Sequence, residues 1–368
     1  MINMKKENKK RVLFILKYRQ KEPTGIENSS EKYGYLNSGV WQSAKFLCDD
    51  LNEKNIAEAK CVHAIDNNCI NKLVTDYKAD IVIIEAFWVV PEKFEILTQL
   101  HPNIKWIIRN HSAMPFIASE GIIIDWSLSY IDYKNVYIAS NDYRTYEQFR
   151  FLVNDKQKTD KKVLYLPNTY PTKNIRKRIY DQQDNFFKEE GIVNIGCFGS
   201  VRPLKNHLTQ AQAAIHFAKS MNRYLKFHIN SAHIEDGGNS ALQNLISLFS
   251  HTDNCELVCH DWLEHDDFLE LCSKMDIGLQ VSFTETFNIV AADLTSQDVP
   301  VIGSSEISWL YDDYKANPND SIDITRKMIK AVSLRNSCFK FNEDTHKKLK
   351  HFCTEALKQW NKVITSLI

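Results

Sequence analysis

The segment "SFTETFNIVAADLTSQDVPVIGSSEI", residues 282–307, contains the pattern on which the fold depends. A short apolar run, "IGLQVS", leads into the loop "FTE", and a helical pattern begins near Thr286. A second apolar run, "VPVIGS" (299–304), follows the helix. Strand, helix and strand in this order predict two parallel strands of one sheet. The apolar helix positions are spaced to share one face, and they are Phe287, Val290, Ala291 and Leu294.

Two acidic residues accompany this helical pattern, Glu285 at its entrance and Asp293 eight residues later. The backbone N–H groups of Thr286 to Asn288 would form an anion site at the helix N-terminus, strengthened by the helix dipole. Eight helical residues rise about 12 Å, close to the length of a sugar–diphosphate–ribose unit. Two interpretations are open. Either the acids bind hydroxyl groups of such a ligand, or Glu285 offsets the dipole and Asp293 is a solvated surface acid.

Short apolar runs alternate with helical patterns along most of the chain, which predicts an α/β fold. The predicted elements of the first half are strands at 11–18, 79–87, 104–111 and 135–141 and a helix at 39–55. The second half has predicted strands at 193–200, 225–230, 275–282 and 299–304 and a helix at 208–221. We therefore predict two Rossmann-like, doubly wound domains at 1–170 and 192–342, a charged linker at 171–191 and a C-terminal helix at 343–368.

The composition is that of a globular protein. The chain has 368 residues, 43% of them hydrophobic, and its 46 basic and 46 acidic residues give a net charge of zero. A neutral total does not point to a polyanionic partner, although a local basic patch remains compatible with it. No apolar run approaches the roughly 18 residues of a membrane span. Nine scattered cysteines favour reduced thiols and a cytoplasmic location, and Cys255, Cys259 and His260 lack the second ligand pair of a structural zinc site.

Three further segments follow predicted strands or open a helix, where ligands of α/β sheets bind. In "GCFGSVRPLKNH" (196–207), Gly199 allows a tight turn, and Arg202 and Lys205 are cations suited to a diphosphate. His111 directly follows a first-half strand, as either a ligand-binding or a structural histidine. The loop "YGYLNSGVW" (33–41) either approaches a ligand closely or caps a helix. Its candidate acceptor-side residues are Gly34, Asn37 and Gly39.

Taken together, these motifs resemble retaining GT-B glycosyltransferases of the family 4 type. "ETFNIVAADLTSQDVPVIGS" is similar to the family's E-x7-E segment, with Glu285 on the first acid, Asp293 on the second and Asn288 in place of the usual glycine. "GSVRPLK" resembles its phosphate loop, with Lys205 on the lysine, but Ser200 occupies the usual arginine position. His111 matches the family's first-domain histidine. Asn168 in "VLYLPNTY" (163–170) matches its interdomain segment, so the resemblance covers almost the whole chain.

The resemblance implies a GT-B fold with two domains facing a cleft and a C-terminal helix that packs back toward the first domain. It implies a nucleotide-sugar donor, by default a UDP-sugar, and transfer to an acceptor hydroxyl with retention. No cofactor or metal is expected, because cations and a helix terminus would stabilise the leaving group. The implied catalytic residues are Glu285, His111, Arg202 and Lys205. The implied donor-binding residues are Gly199, Thr286, Phe287, Asn288 and Asp293, with Asp293 on the ribose.

A narrower resemblance is to glycosyltransferases encoded by tailed bacteriophages, carried by residues 79–116 and by "RPLKNHLTQAQAA". It raises the expectation that the acceptor is a modified base in phage DNA. A DNA acceptor would need a basic face, and 143–150 and 173–178 are the candidate runs. Both runs are also compatible with a plain surface helix and a solvated linker. A surface-glycan acceptor and a non-catalytic, GT-B-shaped sugar-nucleotide-binding protein remain open, as does the oligomeric state.

Overall fold

The computed structural model describes residues 9–18, 39–157, 161–173, 175–176, 191–335 and 342–367. The chain divides into two compact units. The first comprises Met1–Pro171 together with Cys353–Ile368, and the second comprises Thr172–Phe352. The segment predicted as a linker lies largely outside the described residues.

The first unit contains a six-stranded parallel sheet in the order β2-β1-β3-β4-β5-β6. Its strands are β1 (Arg11–Lys17), β2 (Glu58–Ala64), β3 (Ile81–Glu85), β4 (Lys105–Asn110), β5 (Val136–Ser140) and β6 (Val163–Tyr165). Its helices are α1 (Gly39–Glu53), α2 (Cys69–Tyr77), α3 (Lys93–Leu100), α4 (Met114–Ile117), α5 (Ile123–Tyr130) and α6 (Tyr143–Gln157). The interior strands are mostly apolar and mostly buried, as expected of a parallel sheet covered on both faces.

The second unit contains a five-stranded parallel sheet in the order β11-β10-β7-β8-β9. Its strands are β7 (Gly191–Gly196), β8 (Arg223–Asn230), β9 (Cys255–His260), β10 (Ile277–Gln280) and β11 (Val301–Gly303). Its helices are α7 (His207–Ser220), α8 (Gly238–Ser250), α9 (His265–Ser273), α10 (Ile289–Ser296) and α11 (Ser321–Arg335), with short 3₁₀ turns at Pro203–Lys205 and Asp312–Tyr314.

The last helix, α12 (Glu343–Ser366), begins in the second unit and ends in the first. In the first unit its side chains Trp360, Val363 and Ile364 join the core formed by β1, β3 and α1. The Trp360 indole N–H donates to the Pro167 carbonyl at 2.8 Å. Two doubly wound parallel sheets and a C-terminal helix that packs on the first unit confirm the predicted fold class.

The helix of the opening segment begins later than predicted. α10 starts at Ile289, whereas the sequence pattern placed the start near Thr286. Asn288 adopts a left-handed conformation, with φ 57°, and its side-chain oxygen accepts a hydrogen bond from the Ala291 N–H at 2.8 Å. Asn288 is therefore the N-cap, because a left-handed residue cannot lie inside an α-helix. The prediction that the N–H groups of Thr286 to Asn288 belong to the helix start was wrong.

Candidate functional site

In the second unit, the predicted phosphate loop and the opening segment meet through an ion pair. Lys205 ends the 3₁₀ turn that follows β7, and Glu285 lies in the loop after β10, a neighbour of β7 in the sheet. The Lys205 ammonium lies 2.6 Å from the Glu285 carboxylate, and the two side chains are only 12% and 7% exposed. Glu285 is therefore the nearly buried partner of Lys205. The sequence placed Glu285 at the entrance of a helix, but that helix, α10, begins four residues after it.

Hydrogen bonds between loops hold this pair in place. The Phe283 N–H donates to the Leu204 carbonyl at 2.9 Å, which links the two loops directly. The buried Gln210 of α7 accepts from the Val281 N–H at 2.7 Å and donates to the Lys205 carbonyl at 2.8 Å. Backbone contacts of this kind position Lys205 and Glu285 through rigid neighbours, as a ligand-binding site requires.

Gly199 supplies the turn that the sequence predicted after β7. Its φ of 110° lies in a region that favours glycine. Its N–H donates to the Asn230 side-chain oxygen at 3.0 Å, and a β-carbon at this position would lie 3.9 Å from Lys205 Cε. A side chain at position 199 would be strained and would contact Lys205.

Arg202 forms an ion pair with Glu235, an acid that the sequence analysis did not identify. Its guanidinium lies 3.3 Å from Glu235, whose other carboxylate oxygen bonds His233 Nε2 at 2.7 Å. Burial by itself would raise the pKa of Glu235, but the His233 hydrogen bond and the charges of His233 and Arg202 lower it to about 2. Glu235 is therefore a carboxylate at neutral pH, and it holds Arg202 at the edge where β7 and β8 end.

Asp293 is buried, so the interpretation of this residue as a solvated surface acid was wrong. It lies in the second turn of α10, which is buried over most of its surface. His265, the first residue of α9, reaches its carboxylate with Nε2 at 2.9 Å. Phe287 is also buried and packs against Trp309 and Phe352, so its side chain belongs to the core.

In the first unit, buried polar side chains cluster where the strands end. Glu85 is the last residue of β3, and Arg109 is its neighbour across the sheet on β4. The Arg109 guanidinium donates to both carboxylate oxygens of Glu85, at 3.1 and 3.3 Å, and to the Leu166 carbonyl at 2.9 Å. His111, directly after β4, bonds the same carboxylate through Nε2. The structure therefore places the predicted His111 on a buried ion pair.

Burial and Arg109 together set the charge of this network. Burial by itself would raise the pKa of Glu85, but Arg109 and His111 outweigh it and hold that pKa below its usual value. Burial lowers the pKa of His111 and outweighs the opposing effect of Glu85. The imidazole is therefore neutral at pH 7, and the Nε2–H tautomer donates to the Glu85 carboxylate.

The predicted acceptor-side loop is described only at its end. Gly34 and Asn37 lie outside the described residues, so their roles stay predictions. Gly39 opens α1, and its carbonyl accepts a hydrogen bond from Ser43 at 2.7 Å. The Ser43 hydroxyl accepts a hydrogen bond from the Asn168 side-chain amide at 3.1 Å, and the Asn168 side-chain oxygen accepts one from the Arg109 guanidinium. The start of α1 is thus tied to the polar network of the first unit.

Sequence reasoning did not identify Glu85, Arg109, Glu235 or His265. For Glu85 a signal existed, because "IVIIE" places an acid at the end of a buried strand, where a charge needs a partner. Glu235 and His265 lie in polar stretches with no distinguishing pattern, so only the structure reveals their pairing.

Within the described ranges, no group of three or more His, Cys, Asp or Glu side chains is arranged to hold a metal ion. Cys255, Cys259 and His260 lie along the edge strand β9. None of the helices in the described part of the chain is both long and apolar enough to cross a membrane.

No protein-family model and no curated protein matches this chain. Solved structures match its fold over nearly the full length. One is an α-glucosyltransferase in complex with UDP and a 13-mer DNA containing an HMU base, with 13% identity, 97% and 100% coverage of the two chains, and a TM-score of 0.63. Another is a UDP-forming α,α-trehalose-phosphate synthase from Burkholderia vietnamiensis, with 8% identity, 98% coverage of both chains and a TM-score of 0.66.

A third similar structure is Anabaena HepE in complex with UDP, with 9% identity, 97% and 99% coverage and a TM-score of 0.62. At these identities the similarity establishes the fold. The chain has the GT-B fold, with one parallel sheet in each of its two units.

Proposed function

We propose that this protein is a glycosyltransferase that moves a sugar from a nucleotide-sugar donor to an acceptor hydroxyl with retention of configuration. The observation that carries the proposal is the Lys205–Glu285 ion pair. It places one cation and one carboxylate at the edge where the second sheet's strands end, which is where open α/β sheets bind ligands. Similarity to UDP-binding structures across the whole chain supports UDP as the donor nucleotide.

The second unit supplies the charges that donor cleavage needs. Negative charge develops on the diphosphate as the bond to the sugar breaks, and nearby fixed cations stabilise it. We assign this role to Lys205 and Arg202. Each is held by a carboxylate, Glu285 or Glu235, so both cations are already positioned before the donor binds. Glu285 would then bind hydroxyl groups of the transferred sugar.

We assign His111 to a hydrogen bond with a sugar hydroxyl, as the resemblance implies. A neutral imidazole suits this role, since it can hydrogen-bond a sugar hydroxyl without adding a charge near the anomeric carbon. Glu85 holds its tautomer through the Nε2–H, and Arg109 keeps Glu85 ionised. Catalysis would need neither a resident metal nor an organic cofactor.

For the acceptor we propose a hydroxylated modified base in DNA, in a bacteriophage-encoded enzyme that works in the host cytoplasm. The DNA-bound α-glucosyltransferase among the similar structures supports this choice. In the run 143–150, which forms part of α6, Tyr143 is well exposed and offers a ring for stacking. Arg150 of the same helix is paired with Glu147, so its charge is partly compensated.

The test combines donor binding with transfer. Thermal unfolding is measured with UDP, GDP, ADP and dTDP and their sugar conjugates, because a ligand that binds the folded state raises the melting temperature. The sugar nucleotide that binds is then incubated with a duplex carrying a hydroxymethylated pyrimidine, and the strand mass is measured. A matched unmodified duplex is the control for the acceptor, and the Glu285→Gln enzyme is the control for catalysis.

We expect one nucleotide to stabilise the protein and only the modified strand to gain one sugar mass. NMR of the product should give the donor's anomeric configuration. A donor that binds without any gain of strand mass would refute the DNA acceptor and favour a surface glycan. Binding without turnover on any hydroxyl acceptor would favour a non-catalytic binding protein, and absence of nucleotide binding would refute the donor site.

A further inference from the structure

Two cysteine thiols of the first unit face each other between α1 and β2. Cys48 lies on α1 and Cys61 on β2, and their sulfur atoms are 2.8 Å apart. Cys48 is buried and Cys61 is half-buried, and both belong to the core that α1 shares with β1 and β3. The proposed transfer reaction uses neither thiol.

Asn52 holds the backbone on both sides of the thiol pair. It lies one helical turn after Cys48, and its side-chain amide donates to the Cys48 carbonyl at 2.9 Å and to the Ala59 carbonyl at 2.8 Å. Its side-chain oxygen accepts from the Ala59 N–H at 2.9 Å. Ala59 and Cys61 are two residues apart on β2, so their side chains lie on the same face of the sheet. Asn52 therefore fastens α1 to β2 at the position where the thiols meet.

The thiols are close to the geometry of a disulfide but differ in accessibility. The sulfur atoms of a disulfide are about 2.05 Å apart, so these two need to approach by only about 0.8 Å. Burial, together with the contact with Cys61, raises the pKa of the Cys48 thiol far above its usual value. A thiolate is the reactive form of cysteine, so the half-buried Cys61 is the thiol that reacts first with an oxidant.

We propose that Cys48 and Cys61 form a reversible disulfide when the protein meets a low-molecular-weight disulfide. The Cys61 thiolate attacks one sulfur of this oxidant, which forms a mixed disulfide and releases one small thiolate. Cys48 then loses its proton to solvent and attacks the Cys61 sulfur, which forms the protein disulfide and releases a second small thiolate. The two protein thiols lose two electrons, and the oxidant is reduced to two thiols.

The disulfide would link an edge strand to a helix that supports the proposed site. Cys48 and Cys61 are 13 residues apart in sequence, and β2 lies at the edge of its sheet. A covalent link across this segment restricts the unfolded chain and so stabilises the folded one. The first turns of α1 carry Ser43, which accepts a hydrogen bond from Asn168. The redox state of the surroundings would thus set how firmly α1 is held.

The experiment equilibrates the reduced, full-length protein with mixtures of oxidised and reduced glutathione. Acid stops the exchange, the remaining thiols are alkylated, and mass spectrometry of the intact protein and of its peptides locates any disulfide. Cys61→Ser and Cys48→Ala each remove one partner, and Cys61→Ser alters the less buried position. Cys259→Ser is the matched control, because Cys259 is an exposed cysteine on β9, the edge strand of the second sheet. Thermal unfolding is measured for the reduced and oxidised forms of each protein.

We expect the oxidised wild type to contain a peptide pair joined through Cys48 and Cys61, and a dithiol reductant to separate it. The melting temperature of the oxidised form should exceed that of the reduced form by about 5 °C or more. Cys61→Ser and Cys48→Ala should lose both the disulfide and this increase, whereas Cys259→Ser should keep both.

Three results would overturn the inference, and none of them bears on the proposed transferase activity. One is a glutathione adduct on Cys61 that persists without forming the protein disulfide. Another is oxidation that joins other cysteines or leaves both thiols free in excess oxidised glutathione. The third is an equal increase in melting temperature for Cys61→Ser, which would assign the stabilisation to a different site.

Discussion

Replacement of Glu285 by glutamine tests the ion pair on which the proposed function depends. Glutamine has nearly the same volume as glutamate and can still accept a hydrogen bond from the Lys205 ammonium, but it carries no charge. The change therefore isolates the electrostatic part of the contact. Glu285→Ala, in contrast, removes the partner altogether and leaves a nearly buried ammonium.

The geometry sets the size of the effect. Two unit charges 2.6 Å apart attract by about 6 kcal/mol at an effective dielectric constant of 20 and by about 1.6 kcal/mol in water. The small residual exposure of both side chains places the pair between these limits, and relief of carboxylate desolvation offsets part of the loss. We expect the free energy of unfolding to fall by about 2 kcal/mol for Glu285→Gln and about 3 to 4 kcal/mol for Glu285→Ala.

Urea unfolding followed by tryptophan fluorescence measures these losses. Glu270→Gln is the matched control, since Glu270 pairs with Lys274 at 3.4 Å on the surface of α9, with both side chains 63% exposed. That variant should lose less than about 0.5 kcal/mol. If Glu285→Gln and Glu270→Gln lose the same amount, Glu285 and Lys205 do not form a buried pair, and the reasoning fails.

The same variant separates binding from chemistry. The Glu285 carboxylate and the donor diphosphate are both anions that need the Lys205 ammonium. We therefore expect Glu285→Gln to bind UDP at least as tightly as the wild type, while sugar transfer falls by at least about 100-fold, the cost of removing a strong transition-state contact. Weaker UDP binding together with unchanged transfer would contradict both assignments.

Glu85→Gln removes the carboxylate charge to which His111 donates, so turnover should fall at least about tenfold with little change in UDP affinity. Steady-state kinetics measure turnover and UDP affinity separately. Unchanged turnover would be inconsistent with an orienting role for Glu85. Gly238→Ala would place a methyl carbon 1.9 Å from the Val201 carbonyl oxygen, beside the loop that carries the diphosphate-binding cations. We expect a stability loss of about 1 to 3 kcal/mol and weaker UDP binding, both measurable by thermal shift. His207 is buried, and burial together with two neighbouring cations lowers its pKa from 6.5 to about 4. It is neutral in the folded protein, so its contribution is fully present above about pH 6.5 and is lost as the pH falls toward 4, by about 1.4 kcal/mol per pKa unit. Urea midpoints between pH 7.5 and 4.5 should fall less steeply for His207→Gln than for the wild type, and equal slopes would refute this origin.

The sequence predicted the interior of both sheets and missed most of their edges. Strands β1, β3, β4 and β5 of the first unit read as apolar runs, because helices cover them on both faces. Among the described residues, the three strands that the sequence did not predict are β2, β6 and β9, and each lies at the edge of its sheet. β2 and β9 are partly exposed, so polar residues interrupt their apolar pattern.

The candidate site divides in a similar way. The sequence by itself determined which side chains lie near the strand ends, because position after a strand is a local property of the chain. His111, Lys205 and Glu285 were found in this manner. The sequence did not predict the left-handed conformation of Asn288. Its side-chain cap depends on that backbone conformation, which the spacing of the apolar residues around it does not encode.

Only the tertiary structure decided what each of these side chains contacts. Lys205 and Glu285 are 80 residues apart in sequence, and His265 and Asp293 are 28 apart. The parallel sheet brings Lys205 and Glu285 together, because β7 and β10 are neighbours and both end at the same edge. His265 and Asp293 meet because α9 packs against α10. Such pairing depends on strand order, and strand order arises from packing over the whole sheet, which leaves no periodic pattern around any one residue.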